Sequence, residues 1–327
     1  MNKFQNLVNN FSADLKKIDE IILEFAVGKS PLIQEVANHL VASGGKRIRP
    51  LLLILSSKLF GEKDVYNLAA AVELIHAATL LHDDVVDVSE IRRGKKTANA
   101  IWDNKVSILV GDYLFSIAFQ LMVKSKNLDV LALLSKASSV MADGEVMQLE
   151  NSNNVEILEE KYFEIIFGKT AILFSAACEV GALINNKDSK QIEALRDFGK
   201  NLGIVFQIVD DVLDYSSKEQ VLGKDLGNDF FEGKVTLPII LLYQKANKDD
   251  REFIKEVFLK NLMNDQKDQK DFAKILALIE KYGGISLSQK KALEYKELAL
   301  KNLEIFENSI AKEGLVTALE HAISRLY

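Results

Sequence analysis

Apolar residues recur along most of this chain at the three- and four-residue spacing of one helical face. Between residues 68 and 88, for example, that face is formed by Val72, Ile75, Ala78 or Thr79, and Leu81 or His82. Strictly alternating apolar and polar positions are few, and only three prolines interrupt the pattern. The pattern predicts an all-α chain with about ten helices or more.

No stretch rich in proline, glycine and serine divides the chain, so we expect a single domain over residues 1–327. The part that carries the candidate motifs runs from about residue 40 to about residue 240. The remainder, from about 245 to 327, is more charged, and we predict that it forms peripheral helices around that core.

Composition narrows the class of protein. A net charge of −6 without a long basic run argues against nucleic-acid binding. One cysteine, Cys178, rules out an intrachain disulfide, and its apolar surroundings favour a buried structural thiol. The N-terminal residues lack the apolar core of a signal peptide, and the apolar stretches are too short or too charged to span a membrane. We therefore expect a cytoplasmic protein.

Two copies of the pattern Asp-Asp-x-x-Asp lie within apolar helical sequence. They consist of Asp83, Asp84 and Asp87 and of Asp210, Asp211 and Asp214. Carboxylates four residues apart share a helical face, repel one another and are costly in apolar surroundings unless a cation offsets them. An oxygen-only site suits Mg²⁺, which commonly bridges to phosphate. One such motif would more often be a solvated helix end, but the second copy favours a metal–diphosphate site; pairing with lysines is the alternative.

Basic residues accompany both acidic motifs. They are Lys46, Arg49, Arg92, Arg93, Lys169, Lys224 and Lys234. Arginine binds phosphate oxygens through two parallel N–H groups, and lysine acts as a compact charge. Each alone would usually be a solvated surface residue, but together they predict two phosphate pockets, one bridged by metal and one without it. His76 lies two turns before Asp83 on the same face, where a functional and a structural role are equally plausible; His82 is expected to be structural.

Six stretches carry a family resemblance, in the family's order and over residues 40–240 approximately. They are GGKRIRP (Gly44–Pro50), HAATLLHDDVVDVSEIRRG (His76–Gly94), GDYL (Gly111–Leu114), GKT (Gly168–Thr170), FQIVDDVLDY (Phe206–Tyr215) and GKDLGNDFFEGKVTLP (Gly223–Pro238). They resemble the trans-isoprenyl (polyprenyl) diphosphate synthases, most of all the medium- and long-chain, octaprenyl-type members.

The resemblance implies a single all-α helical bundle of the isoprenoid synthase type with a central substrate cavity, assembled as a homodimer. It implies condensation of isopentenyl diphosphate with an allylic diphosphate, farnesyl or geranyl, by ionisation, condensation and elimination. The implied product is a medium- or long-chain all-trans polyprenyl diphosphate for a quinone side chain. Two or three Mg²⁺ ions would accompany the allylic diphosphate. No nucleic acid and no membrane span are implied, apart from peripheral membrane contact for product release.

The resemblance also implies residue roles. The six aspartates of the two motifs would hold Mg²⁺, with Asp83, Asp87 and Asp210 central to catalysis. The residues implied to contact the allylic diphosphate are Arg92, Lys169, Lys224 and Lys234. Those implied to bind isopentenyl diphosphate are Lys46, Arg49, His76 and Arg93. Thr170 and Gln207 would present oxygens near the forming cation.

Product length is predicted from the residues that precede the first motif. Ala78 and Thr79 lie about one turn before Asp83, with Ile75 a further turn away. Similar enzymes with short products carry a bulky aromatic at the first two positions, whereas both are small here. This predicts a medium or long product. The growing chain would run between the helices, away from the metal ions. The end of that path could instead be formed deeper by Phe115, Phe119, Met122 or a residue in 131–141.

Four alternatives remain at this stage. A short-chain farnesyl or geranylgeranyl diphosphate synthase would share every motif. A class I terpene cyclase needs no second substrate pocket. The presence of Lys46, Arg49, Arg93 and a second full acidic motif therefore argues against it. A histidine–aspartate phosphohydrolase is disfavoured because the chain has four histidines, and two of them lie outside any motif. A non-catalytic synthase subunit would typically have lost some of the acidic or basic residues.

Overall fold

The structure is a computed structural model that describes residues 3–216, 226–263 and 268–326. Its helices are α1 (Lys3–Asn10), α2 (Ser12–Phe25), α3 (Pro31–Ala42), α4 (Ile48–Lys58), α5 (Tyr66–Val86), α6 (Ala98–Trp102), α7 (Asn104–Lys124), α8 (Leu128–Glu150), α9 (Glu159–Ile166), α10 (Ile172–Leu183), α11 (Ser189–Asp214), α12 (Asn228–Phe231), α13 (Leu237–Lys245), α14 (Lys248–Met263), α15 (Gln269–Tyr282), α16 (Gly284–Asn302) and α17 (Ile310–Ser324). A π-helical turn (Phe167–Ala171) joins α9 to α10. The expected all-α class is confirmed.

The described strands form one short hairpin, β1 (Ile91–Arg92) and β2 (Lys95–Lys96), in which Ile91 pairs with Lys96. Its turn contains Arg93 and Gly94, both with positive φ, 54° and 74°. Glycine adopts this backbone conformation readily, and the turn reverses the chain after α5. The hairpin thus carries Arg92 and Arg93 back toward the end of the helix that bears the first acidic motif.

The chain divides into two compact units. The first comprises Met1–Ser138, Leu173–Gly199 and Leu303–Ala318. The second comprises Ser139–Ile172, Lys200–Asn302 and Leu319–Tyr327. The first acidic motif belongs to the first unit and the second motif to the second unit. The single domain expected over residues 1–327 stays a prediction.

The first unit is built around α5, which packs against α2, α4 and α7. Its apolar residues Val72, Ile75, Ala78 and Leu81 are fully buried, as their spacing predicts. Gly111 of α7 lets the ring of His82 approach closely, because a Cβ at position 111 would lie 2.4 Å from His82 Nε2. His82 therefore packs against α7, and its structural role stays a prediction.

The second unit places a π-helical turn beside α8. Gly168 of the turn faces Gly144 of α8, and a Cβ on Gly144 would lie 2.4 Å from the backbone nitrogen of Lys169. The two glycines thus permit backbone-to-backbone packing that any larger side chain would prevent. Single π-helical turns are frequent at functional sites, and this one carries Lys169 and Thr170.

Two apolar segments, Asn104–Lys124 and Glu159–Leu183, are longer than the sequence analysis expected and could cross a membrane by length and composition alone. The second is 78% buried inside the protein and the first 44% buried. Burial of this kind is equally typical of core helices in proteins without a membrane span. Cys178, in the second segment, is fully buried, and burial raises the pKa of its thiol to about 12, so the nucleophilic thiolate is disfavoured.

Candidate functional site

The first acidic motif lies at the C-terminal end of α5. The helix ends at Val86, and the backbone N–H of Asp87 donates to the Asp83 carbonyl oxygen at 2.8 Å. Asp84 is buried, and its Oδ1 accepts a hydrogen bond from Arg92 Nε at 2.7 Å. Burial raises the pKa of Asp84, while Arg92 acts in the opposite direction. The hairpin therefore provides a cationic partner for one carboxylate of this motif.

The glycine pair before α4 makes room for Arg93. The guanidinium of Arg93 donates to the carbonyl oxygen of Gly44, which has a φ of +69°. A Cβ on Gly45 would lie 2.5 Å from Arg93 Nη1. The close approach of the guanidinium thus requires glycine at position 45, and the left-handed backbone conformation favours glycine at position 44, which explains the Gly-Gly that opens the GGKRIRP stretch.

Arg47 is a residue of this stretch that sequence reasoning did not single out. It caps the start of α4 with a φ of +47° and pairs with Asp19 of α2 at 2.9 Å and with Glu73 of α5 at 2.5 Å. Arg47 and Glu73 are almost fully buried. Removing one partner of a buried ion pair strongly destabilises the folded protein, because the other charge is left buried without a partner. Arg47 therefore joins three helices at the base of the basic cluster; its place between two other cations was the only sequence signal.

A cleft in the first unit collects basic side chains. The residues that line it are His39, Leu40, Ser43, Arg47, Glu73, His76, Ala77, Leu80, Asp84, Arg92, Arg93, Lys96, Thr97 and Ala98. Of the four residues expected to bind isopentenyl diphosphate, His76 and Arg93 line this cleft. Arg49 lies over the Phe174 ring at 4.3 Å, and Lys46 is exposed. Three arginines, one lysine and two histidines thus line one cavity together with two acids.

His76 is held neutral by its surroundings. Burial is the main cause that lowers its pKa well below 6.5, and the charges of Arg49 and Arg93 contribute next. Burial raises the cost of the imidazolium, and the neighbouring guanidinium groups repel it. A neutral imidazole can donate one hydrogen bond and accept another. His76 is therefore suited to hydrogen bonding rather than to acting as a fixed charge.

We expect the free energy of unfolding to decrease as pH is lowered from about pH 8 to about pH 5, partly because of His76. Below about pH 6.5 the unfolded chain binds a proton at this histidine that the folded protein resists, so acid favours unfolding. His76→Gln keeps a neutral hydrogen-bonding side chain and should show a shallower decrease. Thermal melts of both proteins across this range measure the difference. Parallel pH profiles would contradict the expectation.

The second acidic motif lies at the C-terminal end of α11, where each aspartate has a different partner. Asp210 Oδ1 pairs with Arg325 Nη1 at 2.6 Å. Asp211 is buried and accepts hydrogen bonds from Tyr162 and Gln207, at 2.6 and 2.7 Å. Burial is the main cause that raises the pKa of Asp211. Asp210 is the most exposed of these three carboxylates.

Asp214 joins the end of α11 to α12. Its two carboxylate oxygens accept from the backbone N–H groups of Asn228 and Asp229, each at 3.0 Å, and its carbonyl oxygen accepts from Gly227. These bonds satisfy two backbone donors that the start of α12 leaves unpaired, because the N-cap residue Gly227 has no side chain to do so. Asp214 therefore anchors the segment that leads to Lys234, whatever further ligand it binds.

A chain of hydrogen bonds orients the two residues expected to face the carbocation. Thr170 Oγ1 donates to Gln207 Oε1 at 2.7 Å, and Gln207 Nε2 donates to Asp211 Oδ1 at 2.7 Å. Since the Thr170 proton is engaged, the remaining lone pairs of its oxygen are available to a positive centre. The amide of Gln207 uses one donor and one acceptor in the same chain. The structure thus brings Thr170, Gln207 and Asp211 together.

Lys169 and Lys234 line a second cleft, within the second unit. Its lining comprises Gln148, Asn151, Ile157, Tyr162, Ile165, Ile166, Lys169, Gln207, Asp211, Lys234, Val235 and Thr236. Lys169 Nζ contacts Glu145 at 2.8 Å and Gln148 at 2.6 Å, and Lys234 Nζ contacts Glu232 at 2.6 Å. Lys224 was also expected to contact diphosphate, and it lies outside the described residues.

Several polar residues that line these clefts, or that contact Lys169 or the second acidic motif, were missed by sequence reasoning. They are Arg47, Glu145, Gln148, Tyr162, Asp229 and Arg325. Asp229 lies inside a stretch that carried the family resemblance, and burial raises its pKa to about 6. Tyr162 lies seven residues before Lys169, two helical turns away, which is a weak signal. Nothing local in the sequence marks Arg325.

Comparison with known proteins shows which family and which relatives this chain is similar to. A sequence model of the family described as polyprenyl synthetase matches residues 30–279. The chain is 37% identical over 316 residues to the octaprenyl diphosphate synthase of Haemophilus influenzae, covering 96% of this chain and 94% of that protein.

Solved structures show the same similarity. A decaprenyl diphosphate synthase from Rhodobacter capsulatus superposes with a TM-score of 0.93 at 41% identity, over 99% of each chain. A polyprenyl synthase from Caulobacter crescentus, complexed with calcium and isoprenyl diphosphate, superposes with a TM-score of 0.92 at 40% identity, over 99% of this chain and 98% of that one.

Proposed function

This chain belongs to the polyprenyl synthetase family, and from that membership we propose that it joins isopentenyl diphosphate to an allylic diphosphate. It is a prenyltransferase that makes a medium- or long-chain polyprenyl diphosphate. The similar proteins named octaprenyl and decaprenyl diphosphate synthases support this product class. Farnesyl or geranyl diphosphate is the proposed primer, and a quinone side chain is the proposed use of the product.

The observation that carries the proposal is the basic cleft of the first unit. Arg47, Arg93 and neutral His76 line it, and the charges of four arginines reach His76. Burial is the main cause that lowers the pKa of Arg93, and neighbouring arginines add to it. Crowded cations of this kind are relieved by a polyvalent anion. We propose that isopentenyl diphosphate binds here through Arg93 and His76, with Arg49 and Lys46 at its edge.

The allylic diphosphate is proposed to bind at the second cleft. Lys169 and Lys234 line that cleft beside Asp211, and each is held by an acidic partner, Glu145 or Glu232. These carboxylates restrict the two ammonium groups before substrate arrives, which reduces the ordering cost of binding. Arg92 and Lys224 are the further contacts proposed from the family motif.

The acidic motifs fit magnesium by the chemistry of their donors. They offer carboxylate oxygens only, and pairs such as Asp83 and Asp87 share one helical face. Over the part of the chain that the structure describes, no three His, Cys, Asp or Glu side chains are grouped to hold a metal alone. Mg²⁺ typically uses one or two carboxylates and completes its shell with water and substrate phosphate. We propose two or three Mg²⁺ ions, bound together with the diphosphate.

The proposed chemistry follows from these placements. When bound, magnesium would neutralise the charge that develops on the departing diphosphate. Lys169 and Lys234 would hold the oxygens of that diphosphate, and Thr170 would direct lone pairs toward the allylic cation. His76 and Arg93 would bind the diphosphate of isopentenyl diphosphate, whose double bond attacks the allylic cation. The new carbon–carbon bond forms there, and the proton then lost passes to the released diphosphate.

Incubation with isopentenyl diphosphate, farnesyl diphosphate and Mg²⁺ tests the proposal. We expect products longer than geranylgeranyl diphosphate, resolved by chromatography of the hydrolysed alcohols. Farnesyl diphosphate alone is the control and should remain unchanged. A hydrocarbon product from farnesyl diphosphate alone would indicate a terpene cyclase. Failure of the purified chain to elongate any primer would indicate a subunit that needs a partner.

We also propose that the protein forms a homodimer, contacts the membrane peripherally and is located in the cytoplasm. Homodimer formation is supported by exposed apolar side chains on α7, where Leu109 is 66% and Val123 is 60% exposed. Peripheral membrane contact would serve release of a long apolar product. The single cysteine is typical of proteins in a reducing compartment, which supports a cytoplasmic enzyme.

A further inference from the structure

Arg325 forms an ion pair with Asp210, the first aspartate of the second acidic motif. Its Nη1 lies 2.6 Å from Asp210 Oδ1, and its Cζ lies 5.3 Å from the centroid of the Phe206 ring. Phe206 and Asp210 are four residues apart on α11 and therefore share one face of that helix. The guanidinium thus lies along this face, over the ring at one end and against the carboxylate at the other.

This contact brings a protein cation to a proposed metal ligand. Asp210 is the aspartate of this motif whose carboxylate is most accessible, since Asp211 is buried and Asp214 caps α12. Three neighbouring carboxylates repel one another when no cation is present. Arg325 relieves that repulsion without metal. The same Oδ1 oxygen would have to exchange the guanidinium for a metal ion.

The strength of the contact permits such an exchange. The two side chains are 23% and 37% exposed, so water screens the pair. A guanidinium over an aromatic ring at this distance contributes a further modest attraction. The contact is therefore strong enough to be populated without metal and weak enough to be displaced by a divalent ion that is bound to diphosphate.

We infer that Arg325 is an internal competitor of the metal at Asp210. It neutralises the carboxylate in the metal-free enzyme, and the metal must displace it to bind there. The inference rests on the proposed function, because it assumes a metal at Asp210. It predicts that removing the guanidinium strengthens metal binding. If Arg325 instead only oriented Asp210, removing it would weaken metal binding.

Mn²⁺ titration followed by electron paramagnetic resonance tests the inference, with inorganic diphosphate present and without it. Arg325→Gln is expected to lower the Kd for Mn²⁺ by about two- to fivefold, the value of a partly exposed ion pair. Arg325→Lys retains a cation and should stay close to the original protein. Phe206→Leu removes the ring beneath the guanidinium and should change the Kd less, in the same direction as Arg325→Gln.

Two further variants separate the possible failures. Arg251→Gln removes an arginine that bonds to backbone oxygens of Tyr243 and Gln244, remote from the motif in sequence, and should leave the Kd unchanged. Asp210→Asn should abolish the tight Mn²⁺ signal. An unchanged or higher Kd in Arg325→Gln, with the Asp210 dependence intact, would overturn the competitor role alone. Binding that does not depend on Asp210 would overturn the metal site and the competitor role together.

Discussion

Asp83→Asn is expected to lower kcat by about 10³-fold, which corresponds to about 4 kcal/mol of lost transition-state stabilisation. Asparagine has nearly the same shape as aspartate, so the end of α5 should remain folded. The amide lacks the charge that would hold Mg²⁺ against the departing diphosphate. Because the ionisation step depends on that charge, turnover should decrease far more than substrate affinity.

Steady-state kinetics with isopentenyl diphosphate, farnesyl diphosphate and Mg²⁺ measure this effect. Asp129→Asn is a matched control, because Asp129 is an exposed acid on α8 in the same unit. It should retain full activity. Raised Mg²⁺ concentration should restore part of the activity of Asp83→Asn, as expected for a weakened metal ligand. A variant that keeps more than about a tenth of the original kcat would contradict the role of Asp83.

Ala78→Phe is expected to shorten the product by several isoprene units. Ala78 is fully buried on α5, a little more than one turn before Asp83, and α5 packs against α7. A phenyl ring there would close the proposed path for the growing chain near its start. In the original protein we expect the path to end deeper, and candidates on α7 are the fully buried Met122 and the contacting rings of Phe115 and Phe119.

Chromatographic sizing of products formed by Ala78→Phe and by Ala78→Ser makes the comparison. Serine is small and should leave product length unchanged. The larger ring risks overpacking by about 1–3 kcal/mol, so thermal melts of each variant accompany the sizing. Ile75→Phe, one turn deeper, should shorten the product less. An unchanged product from a folded Ala78→Phe would exclude a path along this face of α5.

The helical class and the two acidic motifs were predictable from sequence because both are local patterns. The spacing of Val72, Ile75 and Ala78 defines a buried face wherever a helix forms, and these residues are buried as predicted. The hairpin that reverses the chain after α5 was not predicted. Whether the motif carboxylates bind Mg²⁺ stays a prediction.

The partners of the motif carboxylates were not predictable, because they come from distant positions in the chain. Tyr162 and Asp211 are 49 residues apart, and each is an ordinary residue in its own local sequence. Asp214 shows the same limit: its spacing predicts a metal ligand, yet its oxygens also cap α12. A local pattern cannot reveal which backbone donors a side chain will meet.

The sequence by itself determined the helices, the two acidic motifs and the family to which the chain belongs, since each depends on residue type and spacing. Only the tertiary structure decided that Arg92 pairs with Asp84, that Arg325 pairs with Asp210 and that burial, together with a cluster of arginines, keeps His76 neutral. The physical reason is that charge interactions and burial depend on distances in space, and those distances are set when separate segments pack together.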